Sequence, residues 1–159
     1  MPHPSRPVAD GLLSHALNRG NNRAAVFLGP ADYQAFLTAL GQTKERYPFL
    51  LFGYCLMGNH FHLVVQPAPG QSISRIVQSL TVAHTWRYHQ NRGGVGHVWQ
   101  GRFRSPVIQE DDHLLTVLRY VESNPLRAGM VNDLASYPWS SYGVHGLGKP
   151  DGLTDGAPV

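Results

Sequence analysis

The chain has 159 residues, enough for one compact domain with a real core and too few for two. Its formal net charge is +3 with only 14% charged residues and 42% hydrophobic ones, which excludes a disordered polyelectrolyte. No apolar run approaches the roughly 18 residues needed to span a bilayer, the Pro-rich start lacks a signal-peptide apolar core, and the single Cys55 excludes a disulfide framework, so the expected location is the cytoplasm.

Residues 1–10 carry Pro2, Pro4 and Pro7 and read as a flexible arm. Leu12 to Asn18 suits a first strand, ended by the turn-rich Arg19-Gly20-Asn21-Asn22. Pro30 suits a first helical position, and Tyr33, Phe36, Leu37 and Leu40 follow at helical spacing until Pro48. Phe49 to Met57 predicts a second strand, Gly58-Asn59 a two-residue hairpin turn, and His60 to Gln66 a third strand pairing back. Ser72 can cap a second helix whose buried stripe is Ile73, Ile76, Val77 and Leu80. Val98 to Ile108 reads as extended, with Pro106 marking an edge or a break. Asp111 or Asp112 then caps a third helix that ends near Pro125. The order is strand–helix–strand–strand–helix–strand and a further helix. It predicts an α+β, ferredoxin-like antiparallel sheet with helices on one face, in a single domain over 11–145. Residues 146–159, with four Gly and two Pro, read as a flexible tail.

Charge is unevenly spread. Between Glu45 and Glu110 there is no Asp or Glu, while Arg46, Arg75, Arg87, Arg92, Arg102, Arg104 and five histidines fall there, interleaved with Trp86, Tyr88, Trp99 and Phe103. Arginine forks suit phosphates and aromatic faces suit unstacked bases, so the stretch points to nucleic acid; a small anion would be served by similar chemistry. His60 and His62, two apart in a strand, project to one side together and form half of a metal site, or else one faces solvent and the other is a hydrogen-bonded spare. Zinc closed by four protein ligands is not expected, because Cys55 is the only thiol and no other residues are spaced to help. On the third helix, Leu114, Leu118 and Val121 form the core stripe. At about 100° per residue, His113, Tyr120 and Asn124 gather on nearly the opposite side, facing either water or a site.

Three segments together resemble the single-tyrosine transposases of the HUH superfamily, in particular the REP-associated branch. They are YCLMGNHFHLVV over 54–65, GHVWQGRFRS over 96–105 and YVESNPLRAGMV over 120–131. Arg19-Gly20-Asn21-Asn22-Arg23 and the 137–142 segment YPWSSY also fit that branch. The resemblance implies a ferredoxin-like core that nicks and rejoins single-stranded DNA beside a hairpin, either REP-like or an insertion end. It implies Tyr120 as nucleophile through a 5′-phosphotyrosine adduct, His60 and His62 as the metal pair with Asn124 as third ligand, and magnesium or manganese as the ion. Arg19, Arg23, Arg102 and Arg104 are the expected DNA contacts, and His113 a proton acceptor or phosphate contact. Trp99 and Phe103 could stack bases or belong to the core, and Tyr137 and Trp139 would pin the C-terminal segment. A monomer is preferred over a homodimer. Two other functions fit the residues: a catalytically idle DNA-binding module, and a metal-dependent phosphoesterase acting on a small substrate.

Overall fold

The structure is a computed structural model that describes residues 11–109 and 111–156, with the backbone alone at 111 and 112. The arm expected over 1–10, the tail residues 157–159 and the capping role expected of Asp111 or Asp112 lie outside the described residues. Strands β1 (Ser14–Arg19), β2 (Phe49–Met57) and β3 (His60–Pro67) form an antiparallel sheet in the order β1-β3-β2. Gly58-Asn59 makes the tight turn between β2 and β3, which sets His60 opposite Met57 and His62 opposite Cys55. Helix α1 (Pro30–Arg46) opens on its proline. Helix α2 (Ile73–Arg92) starts where the Ser72 hydroxyl accepts from the Arg75 amide and ends at Gly93, whose φ of 72° closes the helix.

The side-chain period of two splits β3 between two cores. Phe61, Leu63 and Val65 join Ala16, Leu51, Tyr54 and Leu56 against Phe36 and Leu40 of α1 and Ile76 and Leu80 of α2. Phe36 lies 5.2 Å from Phe61, ring to ring. On the opposite face, Val64 packs with Phe52, Cys55 and Met57 against Leu114, Val117, Leu118 and Val121 of α3 (Asp111–Glu122). A bulge at 51–53 lets Phe52 face α3, and Gly53 lies directly beneath it. A Cβ at Gly53 would sit 2.5 Å from the Leu118 side chain, so any larger residue there would have to displace Leu118 where α3 crosses β2. The buried Glu122 carboxylate then fastens the end of α3 to the C-terminal segment, accepting from the Ser141 hydroxyl and from His145 Nδ1. That hydrogen bond raises the affinity of His145 for its proton, against the effect of burial. Two short helices follow: α4 (Asn124–Arg127) and α5 (Tyr142–His145).

The expected fourth strand is only partly regular. Residues 98–108 run along β1 and make isolated bridges, Leu17 with Arg104 and Ser14 with Val107, rather than a continuous ladder. Pro106 has no N–H to give and only accepts, from the His15 amide at 2.9 Å; Gly101 turns the chain out at φ 110°. Within the stretch 146–156, expected as a flexible tail, residues 151–155 are held on the domain, while 146–150 are exposed. Lys44 and the Leu51 amide both donate to the Asp155 carboxylate, the Asp155 amide donates back to Leu51 O at 2.7 Å, and Leu153 packs against the α1/α2 core. The free edge of β2 supplies unpaired backbone groups, and this stretch satisfies some of them. Tyr137, bonded to Leu56 O, and Trp139, stacked 5.0 Å from Tyr33, hold the segment before it. No helix among the described residues is long and apolar enough to cross a membrane.

Candidate active site

Where the α3 core runs out, the same face of the sheet opens. A cleft of about 470 Å³ is lined by Leu17, Asn18 and Arg19 of β1, His60 and His62 of β3, Gln100, Arg102 and Arg104 of the bridged segment, and Tyr120 and Asn124. Three local rules bring the histidines, the tyrosine and the asparagine together. The strand period puts His60 and His62 beside Val64 on the α3 side. The apolar stripe of α3 pins that helix down, which leaves Tyr120 half exposed on its flank. The α3–α4 junction sets Asn124 one turn further on.

Each histidine is held by its Nδ1. His60 Nδ1 lies 2.7 Å from Asn59 Oδ1, and the Asn59 amide nitrogen donates to the Arg23 carbonyl at 3.4 Å, which turns its oxygen toward the ring. His60 is therefore the donor at Nδ1 and keeps a lone pair on Nε2. His62 Nδ1 lies 2.8 Å from Nε2 of His15, on β1, with the two rings 5.0 Å apart. Burial above all, then the neighbouring His15, His60, Arg127 and Arg19, drives His62 down to about 3, so the ring is neutral. Burial, then Arg19, lowers His60 as well, and burial lowers His15. Neutral imidazoles with Nδ1 engaged in protein are the form that binds metal through Nε2. The His62 and Tyr120 rings lie 6.1 Å apart, edge to face.

Asn124 carries a side-chain nitrogen that is buried without a partner. Turning the amide by half a revolution presents its oxygen instead. A buried polar group left unpaired costs stability, and a ligand in the cleft would remove that cost. Among the described residues no group of three or more His, Cys, Asp or Glu is arranged to hold a metal, so a complete set here needs the amide oxygen. Two imidazoles and an amide oxygen are a donor set that a divalent ion can use, manganese more readily than the harder magnesium, with positions left for oxygen ligands. Three arginines and no carboxylate line the cleft among the described residues, a field that favours a phosphate.

Of the residues expected from sequence, His60, His62, Tyr120, Asn124, Arg19, Arg102 and Arg104 share this cleft. Arg23 and His113 do not line it. Arg23 is exposed in the turn after β1, at a φ of 58°, and touches the site only through its carbonyl on Asn59; His113 is exposed toward the start of α3. Trp99 is core rather than a stacking platform: it packs 5.4 Å from Phe61, and its indole N–H donates to Thr81 O. Phe103 is partly buried against the same core. His15 was not legible as a site residue. The one available signal is alternation with Leu17 along β1, which puts it on the histidine side of the sheet once the register is known.

The model of the IS200-like transposase family matches residues 9–124 of the chain. A Haemophilus influenzae protein described as a REP-associated tyrosine transposase is 30% identical over 122 residues, 70% of this chain and 69% of that protein. The solved structure of a REP-associated tyrosine transposase bound to a REP hairpin matches with a TM-score of 0.76 at 19% identity, over 99% of this chain and 96% of that one. A Deinococcus radiodurans protein described as a transposase matches with a TM-score of 0.52 at 17% identity, over 77% of this chain and 97% of its own. At such identities the two structural matches speak to the fold.

Proposed function

The chain belongs to the IS200-like transposase family, and from that premise we propose that it nicks and rejoins single-stranded DNA beside a hairpin through a covalent bond to Tyr120. The observation that carries the reading is the meeting of Tyr120, Asn124 and two neutral, Nδ1-anchored histidines in one arginine-lined cleft. His60, His62 and Asn124 would hold a magnesium or manganese ion, which when bound polarises a scissile phosphate and stabilises the charge that builds up in the transition state.

The remaining chemistry belongs to the chain. A tyrosine is a weak nucleophile at neutral pH, since a phenol has a reference pKa near 10, so its placement against the phosphate matters. Tyr120 Oη forms a bond to phosphorus as the bond from phosphorus to the 3′-oxygen breaks; the phenol gives up its proton and the departing 3′-oxygen takes one up. The 5′-phosphotyrosine keeps the energy of the phosphodiester. A 3′-hydroxyl held in the cleft can therefore reverse the step without ATP. Arg19, Arg102 and Arg104 neutralise the strand backbone and hold its register. The hairpin partner is proposed from the relative whose structure contains a REP hairpin.

A single-stranded oligonucleotide carrying a hairpin, incubated with manganese, should give a denaturation-resistant protein–DNA adduct. Tyr120→Phe should abolish the adduct and keep hairpin affinity within about twofold, as expected when one hydroxyl outside the binding contacts is removed. An adduct formed by Tyr120→Phe would remove Tyr120 from the role. Hairpin binding by the wild-type chain with no adduct would favour the idle DNA-binding module.

A further inference from the structure

Tyr120 stands near the end of α3, where the last carbonyls of a helix lack intrahelical donors. One side chain meets both ends of this residue. Arg127, the last residue of α4, folds back so that Nη2 donates to Tyr120 O at 2.6 Å and Nε donates to Ser123 Oγ at 3.1 Å. Ser123 Oγ in turn donates to Tyr120 O at 3.2 Å. The guanidinium carbon also lies 4.0 Å from the centroid of the Tyr120 ring. A helix-capping arginine would explain the bond to the carbonyl and would leave the ring alone. A loose surface arginine would explain neither, because ordering a long side chain costs conformational entropy.

We infer that Arg127 is a positioning residue for Tyr120, clamping its backbone and its ring so that the phenol stays beside His62 in the cleft. This rests on the reading of Tyr120 as nucleophile. Half the Tyr120 surface is open, so without the clamp the ring can turn away into solvent. The fork geometry is specific to arginine: one edge bonds the carbonyl and the hydroxyl while the flat face covers the ring. A nucleophile displaced by about an ångström can lose about 100-fold in rate. Binding of the strand, by contrast, is spread over the arginines of the cleft.

The test uses Arg127→Met and Arg127→Lys in the full chain. In protein free of DNA, the Arg127 side-chain proton signals should be shifted upfield by the Tyr120 ring and return to ordinary positions in Tyr120→Leu. Arg127→Met should lower the single-turnover rate of adduct formation by about 10- to 100-fold while hairpin affinity stays within about twofold. Arg127→Lys, which keeps the cation and loses the fork, should recover part of that rate. A fall in affinity equal to the fall in rate would make Arg127 a phosphate contact and overturn the clamp, and an unchanged rate would reduce it to a helix cap. If wild-type protein makes no adduct, the nucleophile reading fails on its own. An absent ring shift in DNA-free protein overturns the clamp independently.

Discussion

The two faces of β3 differ in what surrounds them. Phe61, Leu63 and Val65 point into a core closed by α1 and α2, with no exposure to solvent. His60, His62 and Val64 point the other way; α3 covers Val64 and stops short of the histidines. One strand thus carries stability on one side and a candidate active centre on the other, one residue apart. A closed apolar face over-determines the strand position, which allows the opposite face to hold neutral imidazoles, each anchored through Nδ1, at a desolvation cost that would otherwise be a liability.

Substitutions on opposite faces should therefore separate stability from chemistry. Phe61→Ala opens a cavity in the closed core and should cost about 3–5 kcal/mol in denaturant unfolding, whereas Tyr120→Phe should change stability by less than about 0.5 kcal/mol. Equal losses would mean that the tyrosine face is also structural. A smaller effect is expected one layer behind the site. His15→Ala removes the partner of His62 Nδ1 and should weaken manganese binding about 10- to 100-fold by calorimetry, with the fold intact. Unchanged affinity would show that His62 needs no such support.

The smallest effect concerns pH. Burial lowers His15, His60, His62 and, inside the closed core, His84. At His84 the hydrogen bond to the Val26 carbonyl and the charge of Asp32 oppose that shift, while Arg92 and Arg87 add to it. The unfolded chain takes up protons at these rings below the ordinary value of 6.5 while the folded chain refuses them, so stability should fall as the pH drops through that region. His145 is shifted upward and works in the opposite sense, losing its contribution as the pH rises. Melting temperatures of the metal-free protein at pH 5.5 and 7.5 check the balance, and a higher value at pH 5.5 would reverse it.

Much of this was legible in local pattern. The alternation of β3 put both histidines on one side, the helical stripe of α3 turned Tyr120 and Asn124 away from the core, and both helix starts were marked, by Pro30 and Ser72. What escaped was non-local. The tail looked free because its Gly and Pro have no periodicity, yet Asp155 satisfies a strand edge 104 residues away. Trp99 could have stacked bases or joined the core, and only the packing against Phe61 decided for the core.

The sequence by itself determined which side chains share a strand face or a helix flank, because those periods are built into the backbone. It also determined that phosphate-loving arginines outnumber carboxylates through the middle of the chain. Only the tertiary structure decided that the two flanks meet, that His15 from another strand backs His62, and that Arg127 doubles back onto Tyr120. Contacts of that kind depend on strand register and on where α3 crosses the sheet, and these are fixed by packing between elements distant in the chain rather than by any local preference.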